Sequence, residues 1–163
     1  DPQAARFDKF ISEFSENAAI ISPGIYYSDN HEFCIVYKDV ITAENGQELR
    51  TPARVNSKTK IIEVAKKYFV VYTVPGRKAT LWHEYSHVFK NVDPANELEA
   101  DKNGITYYLG TGNPTIEAYN VFLKIFRNTP TDINKKRYDE LNAFITNFDS
   151  IIEKRNGIKS KTS

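Results

Sequence analysis

The stretch His83-Glu84-Tyr85-Ser86-His87 (HEYSH) decides how this 163-residue sequence folds, and it is flanked by apolar residues on both sides. Leu, Trp, Val and Phe at these flanks predict a helix that buries one face. Residues i and i+4 share a helix face, so the two histidines can offer ring nitrogens to one metal ion. Glu84 can hold a metal-bound water and take its proton. The alternative is an exposed amphipathic helix with two solvated histidines.

The acidic segment NELEAD, residues 96–101, follows after a short polar connection. Glu97 and Asp101 are one helical turn apart and share a face, whereas Glu99 is rotated away. A three-ligand zinc site needs one further donor. We therefore predict one Zn²⁺ bound by His83, His87 and Glu97, with Asp101 accepting the N–H of a ligand histidine and Glu99 solvated. The alternative is an exposed, charged helix start favoured by the helix dipole.

The remaining sequence predicts one α+β domain over residues 1–156, in the order helix, small sheet and helical half. Predicted helices span residues 2–18, 78–90, 93–109, 115–127 and 132 onward. Predicted strands span residues 25–27, 32–36 and 68–74, the last ended by Pro75-Gly76, and residues 60–65 fit either a helix or a strand. Trp82, Tyr85, Tyr107 and Tyr108 read as core aromatics. The polar, basic residues 157–163 read as a flexible C-terminal tail.

Composition narrows the class of function. The 22 basic and 21 acidic residues leave a formal net charge of +1, which argues against a nucleic-acid partner. The single cysteine, Cys34, excludes an intramolecular disulfide and reads as a buried strand thiol. No apolar run approaches the ~20 residues of a membrane span, so we expect a soluble chain. The start at Asp1 indicates a processed or trimmed product.

HEYSH followed by NELEAD resembles the gluzincin signature, H-E-x-x-H with a later N-E-x-x-[SA]-D, as in thermolysin. The E-x-E-A-D form is closer to the membrane CAAX prenyl proteases and HtpX-like peptidases, and the short connection is most similar to the minigluzincins. The resemblance covers roughly residues 68–110. It implies a zincin-like fold with a small twisted sheet whose edge strand binds substrate, an active-site helix and a glutamate helix. The strand at 68–74 is expected at or beside that edge.

The resemblance also implies the activity: a zinc metalloendopeptidase that hydrolyses peptide or protein substrates with Glu84 as general base and acid. Many relatives use a histidine ahead of an arginine to stabilise the oxyanion, and residues 129–131 contain none. Arg137 or Tyr138 is the candidate oxyanion or substrate contact, although Arg137 can instead form a salt bridge with the acidic helix. The alternative function is a non-catalytic or latent zinc-binding structural or regulatory protein, with a protein partner or its own termini covering the site.

Overall fold

The computed structural model describes residues 1–128 and 131–156, and the fold is α+β with a small mixed sheet. The chain divides into two compact units, Asp1–Val121 and Phe122–Ser163. The helices are α1 (Pro2–Asn17), α2 (Lys66–Phe69), α3 (Val74–Phe89), α4 (Glu97–Gly110), α5 (Thr115–Asn128) and α6 (Asp132–Asn156). The strands are β1 (Gly24–Tyr27), β2 (Cys34–Lys38), β3 (Ile41–Thr42), β4 (Glu48–Leu49), β5 (Ala53–Val55) and β6 (Ile62–Ala65).

The main sheet has the strand order β1-β2-β6-β5. β1 and β2, which overlap the predicted strands at 25–27 and 32–36, pair as an antiparallel hairpin closed by a 3-10 turn at Asp29–His31. β2 and β6 run parallel, and β5 returns antiparallel to β6 with Arg54 opposite Glu63. β3 and β4 form a separate two-stranded sheet. β5 is therefore an outer strand of the main sheet, and it contacts α3.

The strand predicted at 68–74 is wrong. The chain forms the short helix α2 and then enters α3 at Val74. The Thr73 hydroxyl accepts the N–H of Gly76, which caps the start of α3, and Pro75 lies in its first turn. Pro75-Gly76 thus begins a helix instead of ending a strand, because proline needs no backbone N–H there. The ambiguous residues 60–65 contribute strand β6.

The glutamate helix α4 begins later than predicted. Asn96 is its N-cap, and the Asn96 side chain accepts the N–H of Glu99. Asp93 instead accepts the N–H of Ala95 and closes a separate turn ahead of the helix. Both residue types cap helices well, and the structure uses Asn96 and not Asp93. α3 and α4 consequently meet at a corner of seven residues, 90–96.

Aromatic side chains fill the core between α1, α3 and the sheet. Trp82 and Tyr85 are fully buried, and both contact Phe7 of α1. Trp82 also stacks on Tyr107 of α4, with ring centroids 5.1 Å apart. The predicted core role is confirmed for Trp82, Tyr85 and Tyr108, whereas Tyr107 is only half-buried. Cys34 is half-buried at the start of β2, in the strand position expected for it.

The second unit contains the end of α5 and all of α6. The Thr131 hydroxyl accepts the N–H of Asn134, which caps the start of α6. Leu141 and Ile145 of this helix are buried. The tail predicted at residues 157–163 lies outside the described residues. Within the part of the chain that is described, no helix has the length and apolar character needed to cross a membrane.

Candidate metal centre

Three side-chain donor atoms converge where α3 faces the start of α4. His83 Nε2 lies 3.0 Å from His87 Nε2 and 3.0 Å from Glu97 Oε1, and His87 Nε2 lies 2.8 Å from the same oxygen. The two histidines come from successive turns of α3, and Glu97 is the first residue of α4. The structure therefore brings together the three residues predicted as metal ligands, and the group could hold a metal ion.

The other ring nitrogen of each histidine faces an oxygen. His87 Nδ1 lies 2.7 Å from the carbonyl oxygen of Pro94, which can only accept a hydrogen bond. His83 Nδ1 lies 2.9 Å from Oδ1 of the fully buried Asp101, a close contact whose angle falls short of a good hydrogen bond. Both oxygens favour a proton on Nδ1, so each neutral ring directs the lone pair of its Nε2 into the cluster.

The cluster fits a zinc ion. Two imidazole nitrogens and one carboxylate oxygen are a donor set that catalytic zinc uses, with a fourth position left open. The three atoms form a nearly equilateral triangle whose corners lie about 1.7 Å from its centre, so one ion at the ~2.0–2.2 Å of zinc bonds can touch all three. Without a cation or a proton between these atoms, three lone pairs would face one another at 2.8–3.0 Å, which is unfavourable.

Electrostatics in the cluster favour positive charge. Burial opposes protonation of His83, but Asp101 and Glu97 outweigh it and raise the pKa of His83 to about 10. Burial also opposes protonation of His87, and the contact with Glu97 nevertheless raises the pKa of this ring. The two histidines hold the pKa of the Glu97 carboxyl well below its usual range. A metal dication supplies the same kind of charge at the same atoms.

Glu84 lies beside the cluster without joining it. Its side chain is mostly buried, and Oε2 is 4.0 Å from His83 Nε2. Glu84 also lines an open cleft of about 430 Å³ together with His87 and Glu97. Arg54 and Val55 of β5, and Ser57 just after it, also line this cleft. A molecule in this cleft would meet the donor cluster and the Glu84 carboxylate at once.

The corner between α3 and α4 is held by its own polar side chains. Glu99, predicted to be solvated, is half-buried and accepts the backbone N–H groups of Val92 and Asp93. Asn91 donates to the carbonyl oxygens of Asp93 and Asn96. Glu99 points away from the metal ligands as predicted, but its carboxylate fixes the turn that presents the Pro94 carbonyl to His87. The sequence reasoning missed this role because it depends on backbone N–H groups of the turn.

Gly104 is a second residue that the sequence reasoning missed. It lies on α4 directly against α3, and a Cβ atom placed there would come within 3.0 Å of both Cα and N of His83. Only glycine allows the two helix backbones to approach this closely. The close approach sets the spacing between His83 and the α4 residues Glu97 and Asp101. The sequence does contain one signal of this contact: a glycine inside a helical pattern, where glycine normally lowers helix stability relative to alanine.

The candidate oxyanion or substrate contacts, Arg137 and Tyr138, lie on α6 in the second unit. Both are half-buried, and Arg137 Nη1 is 3.4 Å from Asn134 Oδ1. Their predicted role and the salt bridge considered for Arg137 stay predictions.

Comparisons with protein-family models, with curated proteins and with solved structures find no match to this chain. The resemblance to gluzincins is therefore carried by HEYSH and NELEAD alone. What the chain can do has to be judged from the chemistry of the donor cluster, Glu84 and the cleft beside them.

Proposed function

We propose that this chain is a zinc-dependent metallopeptidase that hydrolyses peptide bonds in the cleft beside His83, His87 and Glu97. One observation carries the proposal. Two imidazoles, each with Nδ1 facing an oxygen, direct Nε2 at one carboxylate oxygen within 3.0 Å, beside a mostly buried glutamate in an open cleft. A purely structural site would not need either the cleft or the extra carboxylate.

Each of these residues has a separable task. His83, His87 and Glu97 hold the ion, and Asp101 and the Pro94 carbonyl keep the two rings oriented. When bound, zinc acts as a Lewis acid that lowers the pKa of a coordinated water toward ~7 and polarises a carbonyl. Glu84 accepts a proton at its carboxylate as the peptide carbonyl is attacked, and it returns that proton to the leaving amine.

The edge of β5 offers a place for an extended substrate. β5 is an outer strand of the main sheet, and Arg54 and Val55 line the cleft. A peptide that adds beside β5 would gain backbone hydrogen bonds and would lie along the cleft that Glu84 also lines. This role agrees with the edge strand that the gluzincin resemblance implies, although it falls to β5 and not to residues 68–74.

Glu84→Gln tests the proposal most directly, because it removes the base and leaves every proposed metal ligand. We expect Glu84→Gln to bind one zinc ion per chain, to unfold like the wild type and to lose at least ~10²-fold in peptide cleavage. Glu16→Gln is the matched control, since Glu16 is exposed on α1 and the charge change is identical. Zinc content by plasma emission and cleavage of a quenched-fluorescent peptide library are the measurements.

A non-catalytic or latent zinc-binding protein is the second candidate. Among the described residues that line the cleft, none is a tyrosine, and the one histidine is the proposed ligand His87. Loss of an oxyanion donor typically costs about 10²–10³-fold in turnover. Wild-type protein that carries zinc but cleaves no member of the library would support this candidate and contradict the peptidase.

A further inference from the structure

We propose that Arg54 selects substrates carrying an acidic side chain at the residue that pairs with it along the open edge of β5. The inference rests on the proposed function, because the edge strand and the metal cluster border the same cleft. It goes further by naming a specificity-determining residue and the chemistry of the substrate side chain.

The outer edge of β5 directs backbone hydrogen-bonding groups away from β6, where another strand could pair with them. The Pro52 carbonyl accepts the N–H of Ala65, and Asn56 donates its N–H to the carbonyl of Ile61. Both residues are two positions from Arg54, which faces Glu63 in the register. In an antiparallel ladder, hydrogen bonding alternates with period two. The peptide groups of Ala53 and Val55 therefore point to the open side, where an added strand would bond.

The Arg54 side chain lies on the outer face of the sheet. Its neighbour Ala53 is buried, as are Ile62 and Val64 of β6, so these side chains form the core face. Arg54 and its cross-strand partner Glu63 face the other way and are more exposed. A substrate residue opposite Arg54 would place its own side chain on this same outer face, because side chains alternate along every strand.

Charges alternate across the outer face. Lys38 Nζ of β2 lies 2.6 Å from Glu63 Oε2, and Arg54 Nε lies 2.9 Å from Glu63 Oε1. The row is thus positive, negative, positive from β2 to the edge. Opposite charges on neighbouring strands stabilise a pair, and like charges oppose it. A substrate strand beside β5 would continue this alternation if it carried a carboxylate opposite Arg54. A lysine or arginine at that position would be repelled by Arg54.

Arg54 also has donors left for such a carboxylate. Its side chain is 44% exposed, and its hydrogen bonds to described residues run through Nε alone. The outer nitrogens of the guanidinium can therefore bind a second carboxylate while Nε stays on Glu63. In a substrate paired with β5, residues opposite Arg54 form a non-hydrogen-bonded pair, the type in which side chains lie closest.

The test uses peptides that are acetylated and amidated, so that an internal side chain is the only carboxylate. Each position is occupied in turn by Glu, Gln or Lys, and zinc-loaded wild type, Arg54→Gln and Arg54→Glu are compared. We expect one position at which wild type favours Glu over Gln by about two- to five-fold in kcat/KM, mainly through KM. Arg54→Gln should abolish the preference, and Arg54→Glu should favour Lys. Arg50→Gln is the matched control, because Arg50 is exposed on the loop just before β5.

The same peptides are also measured by direct binding to zinc-loaded Glu84→Gln, with and without Arg54→Gln. If the peptides bind with a preference for Glu and Arg54→Gln abolishes it, the inference is supported even when wild type cleaves nothing. Absence of cleavage alone would refute only the peptidase. No preference at any position in either measurement overturns the inference. A preference that survives in Arg54→Gln, while that variant retains zinc and the wild-type circular dichroism, overturns it as well.

Discussion

Replacing Gly104 by alanine should loosen the contact that holds α4 against α3. The added Cβ would lie 3.0 Å from two backbone atoms of His83 and 3.2 Å from the carbonyl carbon of Trp82. Ordinary contacts of this kind are 3.4 Å or longer, and helix backbone cannot turn aside as a flexible side chain can. The two helices must therefore separate by several tenths of an ångström.

The magnitude follows from two opposing effects. Overpacking a well-packed contact costs about 1–3 kcal/mol. Alanine in a helix interior is more favourable than glycine by about 1 kcal/mol. We expect Gly104→Ala to lose up to about 2 kcal/mol of unfolding free energy in the metal-free state. The shift also moves Glu97 and Asp101 relative to His83, so zinc affinity should fall about tenfold, as for loss of a supporting contact.

The assay is urea unfolding in the presence of a chelator, followed by fluorescence of Trp82, the only tryptophan of the chain. Zinc affinity is measured separately by competition with a chromophoric chelator. Gly110→Ala is the matched control: it is the last residue of the same helix, and its Cβ would meet nothing within 4 Å. A Gly104→Ala protein as stable as Gly110→Ala, with wild-type zinc affinity, would refute the close-approach reasoning.

Two further predictions concern buried groups. Asp101→Asn should weaken zinc binding about 10–100-fold in the same competition assay, because the carboxylate beside His83 Nδ1 loses its charge; Asp139→Asn, exposed on α6, should change it less than twofold. Burial raises the pKa of Tyr37 from its usual value near 10 to about 12. The folded state therefore favours the neutral phenol, and the stability gained from this preference is complete below pH 10 and is lost as the pH rises through about 12. Tyr37→Phe should be about 1 kcal/mol less stable at pH 7, because the hydrogen bond to the Ala18 carbonyl is lost. From pH 10 to pH 12 the unfolding free energy of Tyr37→Phe, measured by urea titration, should fall by about 2–3 kcal/mol less than that of wild type. Equal losses in the two proteins would show that Tyr37 does not titrate in this way.

The sequence predicts that His83, His87 and Glu97 converge because their arrangement is almost entirely local. Helical periodicity alone places His83 beside His87 and Glu97 beside Asp101. A connection of only a few residues then leaves the two helices little choice but to meet near these side chains. The order helix, small sheet and helices also follows from local patterns, and it agrees with the α+β architecture.

The errors occur where one local signal has two meanings. Residues 68–74 are rich in aromatic and β-branched types, yet Thr73 and Pro75 form a helix start that overrides this preference. Asp93 and Asn96 are both residue types that cap helices, and the structure uses Asn96, which leaves the Pro94 carbonyl outside the helix and facing His87. Residues 53–55 are too few to show an alternating pattern of their own, and they form an edge strand by pairing with β6.

The contacts that support the cluster come from the protein itself. Asp101 is held by α4, and Pro94 is held by a turn that Glu99 and Asn91 fix. The fold thus gathers three donors whose lone pairs oppose one another and leaves a cation or a proton to relieve that repulsion. Any ion that binds the folded chain and not the unfolded one stabilises it by RT ln(1 + [ion]/Kd), about 2.7 kcal/mol at one hundred times Kd. Stability and metal content should therefore change together across variants of the ligands, whether or not the protein cleaves peptides, whereas variants of Glu84 should separate cleavage from both.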